Sequence, residues 1–169
     1  LLGNCGIGCV PLSGKTRKDV ERVCGFITPE GVPWNWDSFA SYLDHVEAQG
    51  CVQNVASLVA HGPLRLLAMG PRAGRPAPDE MRALDRLARR AVEEGAFGVS
   101  FGLIYPPGQF ADTEELVHVA RAAAEAGGFA AFHQRGSSRD TLTQAVEELL
   151  EVGRRARAPV HHSHVETVG

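Results

Sequence analysis

The sequence predicts an α/β protein built on parallel strands. From its middle onward, short apolar segments alternate with amphipathic helical patterns. The expected strand ends near Ala60, Phe101, His133 and His164 are spaced by roughly 30 to 40 residues, the size of a βα unit with its loops. No Gly-x-Gly-x-x-Gly follows these strands, so the sequence lacks the phosphate-binding loop of a dinucleotide-binding open sheet. About five strands, counting one that ends at Asn4, fit either a doubly wound sheet or part of an eight-stranded barrel.

The first third of the chain is less regular than the rest. Residues 1–4 are typical of the end of a strand. Residues 6–33 are rich in glycine, proline and polar side chains, which predicts a long loop excursion. Residues 36–48 predict a helix because their apolar side chains recur at helical spacing. No interdomain linker is visible, so residues 1–169 are interpreted as one segment.

The later elements follow from the same periodicities. Apolar runs predict the strands, and apolar positions three and four residues apart predict the helices. Asp112 followed by Glu115 forms a capping-box pattern at the start of one helix. The expected elements are, in chain order, strand 52–60, helix 79–95, strand 96–101, helix 113–126, strand 129–133, helix 141–156 and strand 160–164.

Composition excludes several classes of function. The 169 residues carry a formal net charge of −3 at pH 7, whereas nucleic-acid binders usually present a basic surface. No apolar run approaches the roughly 18 residues of a membrane span, and the first residues lack the basic start of a signal peptide. The four cysteines are too few for a secreted disulfide scaffold, so we predict a reducing, cytoplasmic location.

Reactive side chains recur at the expected carboxyl ends of the strands, where parallel α/β proteins place their functional sites. Cys5, His133 and His164 offer one thiolate and two imidazoles from three different strands. This ligand set suits Zn²⁺, and three protein ligands leave a fourth position for water. The sequence therefore predicts a zinc site, although each of these residues alone is also typical of ordinary packing.

A second motif points to different chemistry. Residues 98–102 are Gly-Val-Ser-Phe-Gly, which matches the nucleophile elbow of α/β-hydrolases with Ser100 as the nucleophile. That elbow needs a helix directly after the serine, but residues 103–108 contain two prolines and a glycine and are typical of a rigid loop. A serine hydrolase therefore stays an alternative, which labelling of Ser100 by a fluorophosphonate probe would reveal.

Four motifs together resemble one known family. They are Gly-Asn-Cys-Gly at 3–6, Asn-Val-Ala-Ser-Leu-Val-Ala-His-Gly at 54–62, Gly-Val-Ser-Phe-Gly-Leu-Ile-Tyr-Pro-Pro-Gly at 98–108 and Pro-Val-His-His-Ser-His at 159–164. In order and spacing they are similar to the N-acyl-D-amino-acid deacylases (D-aminoacylases) of the metal-dependent amidohydrolase superfamily. The resemblance implies a zinc-bearing (β/α)₈ TIM-like barrel that hydrolyses the amide bond of a small N-acyl-D-amino acid.

The resemblance also assigns roles to individual residues. The family's metal-binding cysteine and two histidines fall on the three residues already chosen from the strand ends. Its pocket tyrosine falls on Tyr105, which implies a hydrogen bond to the substrate or to the developing oxyanion. Arg135 matches a family arginine and is expected to bind substrate. Glu166 is also expected at the substrate, where it stands in place of a common lysine and reverses the charge that would meet a carboxylate.

Two parts of the family's pattern lie outside residues 1–169. Its His-x-His motif would precede Leu1, and its aspartate general base would follow Gly169. We therefore expect an internal, incomplete segment of a longer hydrolase of linear amides, which carries metal ligands and shows no deacylase activity alone. The alternative from another class is a noncatalytic α/β domain that binds a metal or a partner.

Overall fold

A computed structural model describes residues 1–165 of the chain. Its centre is a parallel sheet of four strands in the order β1-β2-β3-β4, so the predicted α/β class is confirmed. Across these residues no helix combines the length and the apolar character needed to cross a bilayer. The strands are β1 (Val59–Ala60), β2 (Gly98–Gly102), β3 (Phe129–His133) and β4 (Val160–His162). The α-helices are α1 (Arg17–Cys24), α2 (Phe39–Gln49), α3 (His61–Met69), α4 (Pro78–Glu93), α5 (Thr113–Glu125) and α6 (Leu142–Ala156).

The expected first strand is reduced to a single bridge. Leu2 pairs in parallel with Ser57, beside β1. The Leu2 amide donates to the Ala56 carbonyl at 2.8 Å, and the Leu58 amide donates to the Leu2 carbonyl at 2.9 Å. The N-terminal segment therefore continues the parallel order of the sheet without forming a strand of its own.

Two predicted strands are shorter in the structure than in the sequence pattern. Of the run 52–60, only Val59–Ala60 is a strand, and Val52 and Val55 are exposed. Hydrophobic side chains favour a strand only where the sheet and its covering helices can bury them. The strand predicted over 160–164 ends at His162, so His164 lies just beyond the carboxyl end of β4.

The segment 6–33, expected to be a long loop, contains helical structure. It includes α1 and a short 3₁₀ turn, Gly25–Ile27. Val20 and Cys24 are buried on the inner side of α1. The buried Trp36 indole donates to the Cys9 carbonyl at 2.7 Å and so ties the segment to the chain that leads into α2.

The core lies on one face of the sheet, under the helices. Val99 and Phe101 of β2 and Phe132 of β3 are fully buried, and the rings of Phe101 and Phe132 stack with centroids 4.6 Å apart. Burying an aromatic side chain of this size contributes about 1.5–3 kcal/mol. Side chains alternate along a strand, so Ser100 and Gly102 face the other surface, against which the Cys5 loop lies.

The start of α5 shows why a capping pattern can mislead. The side chain of Asp112 accepts a hydrogen bond of 3.0 Å from the Glu115 amide, as predicted. The Glu115 carboxylate is instead fully buried, where it bonds to His61 and Arg65. Tertiary partners have therefore replaced the local partner that the capping box would supply.

Candidate metal centre

Cys5 lies on a tight loop pressed against the end of β2. Its backbone φ is 55°, and the flanking glycines have φ of 72° at Gly3 and 68° at Gly6. A Cβ atom at Gly6 would overlap the backbone of Gly102. Glycine is required at such positions because it adopts positive φ easily and lets two backbones approach closely.

The structure brings the three predicted ligands together. His133 is the last residue of β3, and His164 follows β4. Their rings have centroids 4.3 Å apart at an interplanar angle of 76°. The Cys5 thiol lies 3.5 Å from His164 Nε2, and one donor atom from each residue lies within 4.8 Å of the others.

These atoms fit a zinc ion in type and spacing. Zinc bonds of about 2.3 Å to sulfur and about 2.0–2.1 Å to nitrogen, at a tetrahedral angle, imply a sulfur–nitrogen separation of about 3.6 Å. The separation of Cys5 Sγ and His164 Nε2 is 3.5 Å. A thiolate with two imidazoles is also a donor set that selects Zn²⁺ over Mg²⁺ or Ca²⁺. Within residues 1–165 no carboxylate joins this cluster.

The other cysteines differ from Cys5 in their surroundings. Burial, with a smaller contribution from Cys9 at Cys24, raises the pKa of both Cys9 and Cys24 to about 11. Both therefore stay protonated at neutral pH and act as packing residues. Cys51 is exposed and lies 3.8 Å from the Val46 carbonyl at the end of α2.

Tyr105 lies at the cluster, as the sequence predicts, but its hydroxyl has a partner in the protein. Its ring centroid is 5.7 Å from that of His133, and its hydroxyl donates to the Cys5 carbonyl. Burial raises the pKa of Tyr105, so the phenol stays protonated. A phenol has one proton to donate. While it holds the Cys5 carbonyl, it has none for a substrate oxygen.

Ser100 is a structural residue of the Cys5 loop in this structure. Its hydroxyl donates to the Gly3 carbonyl and accepts from the Gly6 amide at 3.1 Å. The side chain is fully buried, and β2 continues to Gly102 without the helix that a nucleophile elbow requires. The geometry gives the serine-hydrolase alternative no support.

Arg135 is held by partners within the protein. Its guanidinium forms a fork with the Glu148 carboxylate at 2.9 and 3.1 Å. It also donates to the carbonyls of Gln109 and Ala111 at 3.1 and 2.9 Å. Four hydrogen bonds thus fix it between α6 and the chain before α5. Glu166, the other predicted substrate residue, lies outside the described residues.

Sequence reasoning missed a hydrogen bond that joins two ligand loops. Ser163 Oγ donates to Asn4 Oδ1 at 2.9 Å. These residues directly precede His164 and Cys5, and their neighbouring strands lie at opposite ends of the sheet order. Contact between opposite ends requires a curved sheet, as in part of a barrel. Their places beside the two predicted ligands are the only sequence clue.

A second missed feature is a buried ionic cluster behind the sheet. Glu115 Oε1 accepts from Arg65 Nε at 2.7 Å and lies 2.8 Å from His61 Nε2, with all three side chains fully buried. Arg65 also donates to the carbonyls of Pro107 and Gly74 at 3.0 and 2.6 Å. Burial opposes ionisation of Glu115, but bonds and charges from His61 and Arg65 outweigh it and lower its pKa.

A parallel α/β sheet with a cysteine and two histidines gathered at the carboxyl edge of its strands is typical of metal-dependent enzymes on barrel folds. No family model matches the chain. Its sequence nevertheless aligns from end to end with named deacylases. Over nearly its whole length the chain is similar to the D-aminoacylases and related deacylases of the amidohydrolases, which confirms the resemblance of its four motifs.

Three relatives come from Alcaligenes xylosoxydans xylosoxydans. The chain is 36% identical to a D-aminoacylase over 99% of the chain and 34% of that protein. It is 39% identical to an N-acyl-D-glutamate deacylase over 97% of the chain and 32% of that protein, and 35% identical to an N-acyl-D-aspartate deacylase over 99% and 33%. The chain therefore spans about a third of the length of these relatives.

Solved structures agree with the sequence comparison. A crystal structure of D-aminoacylase, described as defining a novel subset of amidohydrolases, matches 99% of the chain and 34% of its own with a TM-score of 0.85 and 33% identity. An N-acyl-D-glutamate deacylase from Bordetella bronchiseptica, complexed with zinc and a phosphonate mimic of the tetrahedral intermediate, matches 95% of the chain and 33% of its own at a TM-score of 0.79 and 36% identity. The fold is thus that of a partial TIM-like barrel.

Proposed function

We propose that this chain is the metal-binding part of a zinc-dependent amidohydrolase that cleaves the amide bond of an N-acyl-D-amino acid. The observation that carries the proposal is the cluster of Cys5, His133 and His164, whose donor atoms lie within 4.8 Å of one another. The named relatives support the reaction class. Because the chain spans about a third of their length, the activity of the whole protein is a proposal.

Each of the three residues would contribute one ligand atom to the ion. Cys5 supplies the thiolate from its tight loop, while His133 and His164 supply imidazoles from β3 and from beyond β4. A zinc ion held by these residues would polarise a scissile carbonyl and would lower the pKa of its bound water to about 7. Tyr105 borders the site beside His133. The general base is expected on a segment outside this chain.

The substrate class is proposed from the relatives, and the amino-acid side chain stays open. The chain is 36% identical to the D-aminoacylase, 39% identical to the N-acyl-D-glutamate deacylase and 35% identical to the N-acyl-D-aspartate deacylase. These identities are too similar to show which of the three substrates the protein prefers. Glu166 and Arg135 are the predicted substrate residues. A glutamate near the substrate would repel a carboxylate, and because every N-acyl amino acid carries an α-carboxylate, this charge does not choose among neutral, basic and acidic side chains.

The test uses the complete open reading frame that encodes this chain. The purified protein is assayed with N-acetyl-D-leucine, N-acetyl-D-lysine, N-acetyl-D-glutamate and their L-enantiomers, and its zinc content is measured. We expect hydrolysis of a D-enantiomer, and loss of both zinc and activity in Cys5→Ala, His133→Ala and His164→Ala. Cys51→Ala, which removes an exposed thiol, is the matched control and is expected to keep both.

Two results would contradict the proposal. Unchanged zinc content in all three ligand variants would show that the ligand set is wrong. Zinc binding without hydrolysis of any N-acyl amino acid would favour the noncatalytic metal-binding domain.

A cytoplasmic location is proposed with the enzyme, supported by the thiol form of Cys9, Cys24 and Cys51.

A further inference from the structure

The backbone conformation at Cys5 must be held by other parts of the protein. A residue with a Cβ atom rarely adopts a φ of 55°, because the left-handed region is unfavourable for side chains other than glycine. Such a conformation persists where the surroundings fix it. Two side chains of the described residues bond to the backbone of this loop.

Ser100 holds the loop on both sides of the cysteine. Its hydroxyl donates to the carbonyl of Gly3 and accepts from the amide of Gly6 at 3.1 Å. Ser100 is fully buried in the middle of β2, where its own backbone is paired with Ala60 and Ala131 of the neighbouring strands. The loop is therefore bonded to a rigid part of the sheet.

Tyr105 holds the cysteine itself. Its hydroxyl donates to the Cys5 carbonyl, and its ring packs against Gly102 so closely that a Cβ atom there would overlap both Tyr105 and Cys5. The loop that carries Tyr105 is anchored in turn by Arg65, which donates to the Pro107 carbonyl at 3.0 Å. The buried ionic cluster therefore helps to position the Tyr105 hydroxyl that bonds to Cys5.

We propose that Ser100 and Tyr105 are positioning residues that fix the Cys5 loop with its thiol directed at the histidines, and so set the metal affinity of the site. This inference rests on the proposed metal site. It gives the Tyr105 hydroxyl a different role from the substrate contact that the family resemblance implies. Outer contacts that orient a metal ligand typically account for about 10- to 100-fold in affinity.

The test measures metal binding in the complete protein. Zinc affinity is determined by competition with a chromophoric chelator for wild type, Ser100→Ala and Tyr105→Phe, and Co²⁺-loaded protein is scanned for the near-ultraviolet thiolate-to-cobalt band. We expect each variant to raise the zinc Kd about tenfold and to weaken or shift this band. A merely structural role would not change the band.

Matched controls remove similar hydroxyls elsewhere. Ser57→Ala removes another buried serine hydroxyl, and Tyr42→Phe removes the hydroxyl of the other tyrosine, which is also buried. Both are expected to leave the zinc Kd within about twofold of wild type, a change of ~0.4 kcal/mol at 1.4 kcal/mol per tenfold. If Ser100→Ala does not fold, Tyr105→Phe carries the test alone, because it keeps the ring.

The outcomes separate this inference from the proposed function. If Cys5→Ala abolishes the cobalt band while Tyr105→Phe and Ser100→Ala bind zinc like wild type, the metal site stands and the positioning role is overturned. If the wild type shows no thiolate band, the ligand set fails and the inference fails with it. At saturating zinc, we expect Tyr105→Phe to recover a KM within about twofold of wild type. A KM that stays raised would instead show a substrate contact.

Discussion

The side chain of Ser163 donates a hydrogen bond of 2.9 Å to the side chain of Asn4, across 159 positions of sequence. Each residue directly precedes a proposed zinc ligand, His164 or Cys5. The bond therefore sets the separation of two ligand loops that come from opposite ends of the sheet order.

Removing this bond is expected to loosen the metal site. A typical hydrogen bond contributes about 0.5–1.5 kcal/mol to stability, so Ser163→Ala should lower the free energy of unfolding by that amount and raise the zinc Kd several-fold. Urea denaturation and chelator competition measure the two effects. Ser138→Ala, at an exposed serine, is the control. Equal Kd values for the two variants would show that the bond does not position the ligands.

Gly102 is expected to tolerate no side chain. A Cβ atom there would overlap the Cys5 carbonyl oxygen and the Tyr105 ring, whereas a Cβ at Gly14 would meet no atom within 4 Å. Forcing an extra methyl group into a packed region costs about 1–3 kcal/mol. Gly102→Ala should therefore lower both thermal stability and zinc affinity, while Gly14→Ala changes neither. Wild-type behaviour of Gly102→Ala would contradict the close approach of the Cys5 loop to β2.

Arg65 is expected to be important for stability although it touches no metal ligand. Arg65→Met removes one of the two partners of the buried Glu115 carboxylate, and breaking a buried ion pair in this way costs about 3–5 kcal/mol. Arg82→Met, at an exposed arginine of α4, should cost less than about 0.5 kcal/mol. Chemical denaturation measures both. The double variant Arg65→Met/Glu115→Leu should be less destabilised than the sum of the single variants, because no charge is left unpaired.

Glu115 is expected to make stability depend on acid pH. The native state lowers its pKa below the ordinary value of 4.5 through His61 Nε2 and Arg65 Nε. Its stabilising contribution is therefore fully present above about pH 4.5 and is lost as the pH falls through the lower native pKa. The stability difference between wild type and Glu115→Gln should shrink from about pH 5 downward.

The control for this pH dependence is Glu93→Gln, at an exposed glutamate of α4. Its denaturation curves should run parallel to those of wild type over the same pH range. A constant difference between wild type and Glu115→Gln down to the lowest pH would show that the carboxylate does not stabilise the fold in its ionised form.

The variant Arg135→Lys tests whether Arg135 has a structural role or contacts the substrate. Lysine cannot reproduce the guanidinium fork to Glu148 or reach both carbonyls that Arg135 binds. Hydrogen bonds to charged groups contribute about 1.5–3 kcal/mol, so we expect a lower melting temperature with an unchanged KM. An unchanged melting temperature with a raised KM would instead support the substrate role expected from the family resemblance.

Local periodicity was enough to predict most of the regular structure. The strand predicted over 129–133 is β3 to the residue, and the helix predicted over 141–156 begins one residue late, at Leu142. These two predictions are correct because the spacing of the apolar residues matches the face of each element that is buried. The strand predicted over 52–60 is mostly absent because Val52 and Val55 are exposed despite their hydrophobic side chains.

Side-chain partners were beyond prediction wherever they came from distant strands. Glu115 has the spacing of a capping residue, yet its carboxylate bonds to His61 and Arg65, 54 and 50 residues away. Arg135 and Tyr105 are predicted to contact substrate, and the structure adds that each donates to the protein's own carbonyls. Charge and size suggest a role for such residues, but the packing of the elements decides which acceptor is in reach.

The sequence alone determined the α/β class, the order of its βα units and the three residues proposed to hold zinc. It could do so because strand ends are local features, and parallel strands bring their carboxyl ends to one edge. Only the tertiary structure decided how Cys5 is held, through Ser100 and Tyr105, and how Asn4 meets Ser163. Those contacts depend on sheet curvature and on backbones approaching at glycine, which no periodicity in the chain encodes.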